Sequence, residues 1–170
     1  MREIGDCKYS KQVNSFGFKE FSCSKFPGIP KIFPGNISGI QLQLSNAAGM
    51  LLENNSPVLF DSVIYGQSPY INYNKETGEL TFLINQNIFV SWWVSIDGTE
   101  LSPVLEFAAA INGKPYSSSA SASVTDQLTG SALISIPAAS DRLSLMNLSG
   151  SLVRYAQVPV QAGIVIIEAR

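Results

Sequence analysis

The chain of 170 residues contains no histidine. That removes the usual base of serine and cysteine nucleophile systems and the commonest metal ligand. Charge is sparse: Asp, Glu, Lys and Arg make up 14% of residues, against 45% hydrophobic ones. Such a chain is not disordered by composition, and it has few charged groups with which to cover a free surface. Cysteine occurs twice, as Cys7 and Cys23, at a spacing that matches no zinc pattern. The two are either bonded to each other or reduced. No apolar run is long enough to span a membrane as a helix, and the opening MREIGDCKYSKQVNSFGFKEF lacks the uninterrupted apolar core of a secretory signal. Synthesis and assembly in a cytoplasm are expected, with no membrane partner. GxSxG, a phosphate-binding glycine loop and HExxH are also missing.

The charge that is present falls unevenly. Residues 1–36 hold six basic and three acidic residues, and the remainder holds five and ten. This is either ordinary scatter or a basic arm that docks on an acidic surface. It has no dense Lys/Arg cluster, so no nucleic-acid partner is expected. Composition changes near Asn36. Before it, Phe16, Phe18, Phe21, Phe26 and Phe33 are spread through sequence broken by Pro27, Pro30 and Pro34. The prolines forbid a continuous helix and suit an extended path. Two readings stand: the phenylalanines anchor the chain to another protein, or they pack on their own domain. The chain divides into an anchoring arm, 1–36, and a β domain, 37–170.

After Asn36 the pattern is β throughout. In ISGIQLQLS, Ile40, Leu42 and Leu44 alternate with glutamines, as in a half-buried strand. SPVLFDSVIYG, GELTFLIN, IFVSWWVSI, GSALISI, DRLSLMNLSG, LVRYAQV and AGIVIIEAR continue the series, and Leu80, Phe82 and Ile84 share a face. PVLEFAAAINGKPYSSS reads as a hairpin turning at Asn112-Gly113. SSSASASVTDQLTGS is expected as an exposed loop or edge strand. Many short strands separated by turn signals predict an antiparallel sandwich or barrel.

NIFVSWWVSIDG carries both tryptophans, adjacent, and neighbours on a strand point to opposite faces. Ile88, Val90, Trp92, Val94 and Ile96 form a wholly apolar face suited to the core. The other face carries Phe89, Ser91, Trp93 and Ser95, where a solvated strand would carry Lys, Glu or Thr. Whichever indole enters the core, the other needs a second covered surface. The last strand agrees, with Ile164 and Ile166 facing one way and Val165 and Ile167 the other. A strand apolar on both faces is buried on both. Phe89, Trp93, Val165 and Ile167 are therefore assigned to a subunit interface, with cover by the chain's own arm as the alternative.

Chemistry has little to stand on. Glu53, Asp61, Asp97, Glu100, Glu106 and Asp126 sit mostly by turns, where acids are common. Asp97-Gly98 and Asp126 lack the spacing of a calcium loop. Asn36, Asn54 and Asn147 fit the glycosylation pattern. Tyr65, Tyr70 and Tyr73, in VIYGQSPYINYN, are either a loop that contacts a host glycan or receptor, or cover for one end of the barrel. No cofactor, metal or catalytic residue is assigned.

TFLINQNIFVSWWVSI, LEFAAAINGKPY, GSALISI and the final AGIVIIEA resemble the C-terminal domain of the collagen-like exosporium glycoproteins of Bacillus spores. That domain belongs to the jelly-roll superfamily of complement globular heads and tumour necrosis factor. Thr81, Phe82 and Ile84 match its Thr-Phe-x-Ile element; Ile111, Asn112 and Gly113 its hairpin; Ile164, Ile166 and Ile167 its last strand. Asn87 replaces the usual glycine, and asparagine is the next best residue for a left-handed conformation. The resemblance spans residues 38–170 and lacks the family's collagen-like stalk. It implies a jelly-roll sandwich of about ten strands assembled as a three-fold homotrimer, with the sheet that holds the last strand against the neighbours. The expected function is a non-enzymatic structural or adhesive protein on a particle surface, either a phage virion or a spore layer. A capsid, tail or spore-layer protein would be held through residues 1–36. The alternatives are a soluble carbohydrate- or receptor-binding head and, last, a carboxylate-dependent hydrolase.

Overall fold

The computed structural model describes residues 37–169. The assignments to residues 1–36, including the five phenylalanines and both cysteines, lie outside the described residues. Within 37–169 the chain forms twelve strands and no helix. In chain order they are β1 (Gly39–Leu44), β2 (Leu51–Leu52), β3 (Ser62–Gly66), β4 (Ile71–Asn74), β5 (Glu79–Phe82), β6 (Gln86–Thr99), β7 (Leu105–Ile111), β8 (Lys114–Ser121), β9 (Thr125–Ile136), β10 (Arg142–Asn147), β11 (Val153–Tyr155) and β12 (Ala162–Ala169). Two of them, β2 and β4, are short additions to the strands expected from the sequence, β4 lying in the segment read there as a tyrosine loop. All pairings between strands are antiparallel.

The strands divide into a seven-stranded and a five-stranded sheet. In the first, β9 runs along one edge of β6 from Gln86 to Asp97. The opposite edge of β6 is shared: β12 covers Asn87–Val94 and β11 pairs at Ile96 and Thr99. β1 and then β3 continue beyond β12, and β2 beyond β11. The second sheet runs β4-β5-β10-β7-β8. The β7–β8 hairpin turns on Asn112 and Gly113, both with positive φ (49° and 75°), the conformation a two-residue hairpin requires. Asn87 does not follow its expected left-handed role. It lies within β6, pairs with Ala169 and Ser135, and has no positive φ. The Ser-rich stretch becomes β8 and the start of β9, the edge strands of the two sheets.

The core lies between the sheets. Ile88, Val90, Trp92, Val94 and Ile96 of β6 are buried and meet Leu105, Phe107 and Ala109 of β7, and Leu143 and Leu145 of β10, in one cluster. Trp92 is therefore the core indole, 2% exposed. It packs flat against β9, where its cross-strand partner is Gly130. A Cβ at Gly130 would stand 2.4 Å from the indole ring, so any side chain there displaces Trp92.

The Trp92 indole N–H finds no hydrogen-bond partner among the described residues, whereas the side-chain polar groups of Asn147 and Tyr73 are paired. Asn147 is fully buried; its amide donates to the carbonyls of Leu52, Glu53 and Ser151 and accepts from the Ser149 N–H. The glycosylation pattern at Asn147 is thus a buried structural amide, unavailable to an enzyme. Tyr73 donates its hydroxyl to the Phe60 carbonyl at 2.9 Å and meets the Phe60 ring edge-on. Burial pushes the Tyr73 phenol up to about 12, and the Asp61 charge adds to this against the Phe60 hydrogen bond. Burial, with Tyr73 beside it, also pushes Tyr155 up.

Gly130→Ala is expected to lower stability by about 1–3 kcal/mol through overpacking against Trp92, read as a lower denaturant midpoint at unchanged slope. The tyrosines set the alkaline limit. A folded-state value for Tyr73 raised from 10.0 to about 12 keeps its full stabilising contribution below pH 10 and loses it as pH rises through that window. Unfolding monitored with tyrosinate absorbance should show stability falling from pH 10 upward, and falling less in Tyr73→Phe.

Candidate assembly face

Residues that alternate with the core positions of the seven-stranded sheet point to its other surface. The register aligns them in rows across the strands. One row runs Leu133 (β9), Phe89 (β6), Ile167 (β12), Gly39 (β1). The next runs Ser131, Ser91, Val165, Gln41, Tyr65. The third runs Thr129, Trp93, Gly163, Gln43, Ser62. None of these residues is charged. Leu133 is 75% exposed, Ile167 37% and Phe89 36%, whereas Trp93 and Val165 are half-buried.

Trp93 repeats on this face what Trp92 does in the core. Its cross-strand partner is Gly163 of β12, and a Cβ there would stand 2.7 Å from the indole nitrogen. The two neighbouring indoles thus lie over glycines of the two strands that flank β6, one on each face. A glycine opposite an aromatic lets the ring lie down on the sheet and shields the strand backbone. Trp93 is half covered by this device, and its remaining surface continues into the apolar row beside it.

The four residues assigned from sequence, Phe89, Trp93, Val165 and Ile167, share this face and fall in adjacent rows. Leu133 belongs with them and was missed. Its signal was present in GSALISI, where Ile134 and Ile136 face the core and Ser131, Leu133 and Ser135 face out. Only the pairing of β9 with β6 sets it beside Phe89.

The tyrosine segment is not one loop. Tyr65 lies on β3 of the seven-stranded sheet and donates its hydroxyl to the Ile37 carbonyl. Tyr73 lies on β4 of the other sheet, with its hydroxyl held by Phe60. Tyr70 lies in the connection, where its N–H reaches the Ser68 hydroxyl. Sheet position therefore separates Tyr65 from Tyr73. Of the carboxylates, Asp126 accepts from the Ser121 hydroxyl. Asp61 accepts from the Ser45 N–H, the Asn46 amide and the Ser62 hydroxyl. Partial burial pushes Asp61 up, but these hydrogen bonds outweigh it and hold the carboxyl below its ordinary value. Among the described residues no three Cys, Asp or Glu side chains gather as a metal site.

No protein-family model matches the sequence, and no curated protein does. Solved structures match over most of the chain. The Eiger TNF of S. frugiperda aligns at a TM-score of 0.64 and 10% identity, over 79% of this chain and 93% of that one. The globular domain of zebrafish complement 1qA aligns at 0.53 and 14%, over 78% and 95%. The PRD1 vertex protein P5 aligns at 0.52 and 14%, over 80% and 100%. At these identities the likeness is one of fold alone, and it does not extend to the exosporium domain. The chain has the antiparallel jelly-roll fold of the tumour-necrosis-factor and complement globular-head domains.

Proposed function

We propose that this protein is a non-enzymatic homotrimer that forms part of a particle surface, a virion or a spore layer, and is held there by residues 1–36. The observation that carries the trimer is the set of three uncharged rows on the outer face of the seven-stranded sheet, with Leu133, Phe89 and Ile167 exposed among the described residues. Sheet faces turned to water carry charge. Interface cores are depleted of it and enriched in aromatics. A full side chain of this size contributes about 1.5–3 kcal/mol when buried, and three or four per protomer in a closed ring stabilise it well. The resemblance drawn from the sequence gives the ring three members, with this sheet against the neighbours. A vertex protein among the structures of like fold supports a place on a particle. The aromatic, proline-broken arm supplies a means of attachment that needs no membrane.

Light scattering of the intact protein should give three times 18.4 kDa, unchanged on dilution. Leu133→Lys should reduce this to one chain with the β circular dichroism retained, because each ring contact would bury an unpaired ammonium. A wild-type monomer would remove the trimer. Attachment is read separately: Phe16→Ser combined with Phe21→Ser should leave the mass unchanged and abolish decoration of the particle. Unimpaired decoration by that double variant would overturn the anchor.

A further inference from the structure

A second apolar opening lies away from the rows just described. The β1–β2 connection, β2, the end of β11 and the segment entering β3 enclose a cavity of about 200 Å³. Leu44, Ala47, Leu52 and Tyr155 form its buried floor, and Met50 and Leu59 its exposed rim. Its frame is pinned. The Gly49 N–H donates to the Tyr155 carbonyl at 3.1 Å, and the Tyr155 N–H to the Met50 carbonyl at 2.9 Å. The Ala47 N–H donates to the buried Gln161 side chain at 3.2 Å. A cavity held open in this way needs little ordering to receive a ligand.

One carboxylate, Asp61, stands among the lining residues. Oδ2 of Asp61 accepts from the Ser45 N–H at 3.0 Å and the Asn46 amide at 2.7 Å, and Oδ1 from the Ser62 hydroxyl at 2.7 Å. These hydrogen bonds, with one from the Asn46 backbone, hold the carboxyl below its ordinary value, so it stays ionised and presents a negative charge at the cavity. No described cation pairs with this carboxylate, and Lys75 places its ammonium on the Asp61 backbone carbonyl instead.

We infer that this cavity binds a small apolar ammonium ion, with its hydrocarbon on Leu44, Leu52 and Leu59 and its charged head on Asp61. Size fits: an apolar cavity of about 150 Å³ takes benzene, so this one holds a six-membered ring and its substituent. Charge selects the head. Asp61 is acceptor-only while ionised, which favours a cationic donor and repels an anion. The lining residues lie outside the three rows of the assembly face and are joined to them at Asp61, through the Ser62 hydroxyl, so occupancy is expected to be independent of the trimer.

Saturation-transfer NMR on the full chain with cyclohexylammonium, cyclohexanol and cyclohexanecarboxylate tests this without any variant. The ammonium should bind with a dissociation constant on the order of millimolar, about tenfold tighter than the alcohol, with the carboxylate weakest. Asp61→Asn should bring the ammonium to the level of the alcohol and leave the alcohol unchanged. Equal binding of all three probes, or no transfer to the ammonium, would overturn the site. The same ranking in the Leu133→Lys variant is expected, and its loss there would tie the cavity to assembly and overturn their independence.

Discussion

The structure depends on β6 being a strand with two apolar faces. It is the longest strand among the described residues, and β9, β12 and β11 all pair with it. One face closes the core with Trp92; the other lays Trp93 on Gly163 and sets Phe89 between Leu133 and Ile167. Each indole needs a glycine in the strand beside it. The two glycines sit on opposite flanks because neighbouring residues project to opposite faces. This local rule ties three strands together through two ring contacts and makes the register of the sheet costly to change.

The same strand leaves an apolar outer face on the described residues. A sheet face can be apolar only if something lies on it, and the five-stranded sheet covers the inner face alone. The outer rows hold serines, glutamines and threonine between their large residues and no charge. Small polar side chains permit close approach of another backbone, and their hydroxyls can be satisfied across a contact. Charge is placed elsewhere, as in the Arg142–Glu79 pair on the five-stranded sheet.

Away from this face, the molecule places polar side chains where the backbone leaves its ladders. Asn147 ties β10 to the carbonyls of Leu52, Glu53 and Ser151, and Gln161 holds the turn after β1. Asp61 gathers donors from that turn and from Ser62, the first residue of β3. These contacts shape the cavity floored by Tyr155. Its geometry thus comes from the requirement that buried polar groups be paired, and its apolar lining comes from the ends of the core strands.

Much of the fold was legible in the sequence because a strand announces its faces every second residue. The all-β class, the β7–β8 hairpin on Asn112-Gly113, the inward Ile40, Leu42 and Leu44, and the two-faced strands β6 and β12 all follow from period and turn chemistry local to each segment. What period cannot carry is which strand lies beside which. Leu133 joins Phe89 only because residues 44 positions apart are paired. Tyr65 and Tyr73 part because the chain changes sheets between them. Asn147 loses its glycosylation reading because carbonyls up to 95 positions away close around it. The cavity on Asp61 and Tyr155 joins side chains from four separate segments, so it existed in no stretch of sequence. Local pattern determined the faces; long-range pairing, set by how those faces bury one another, decided what each face meets.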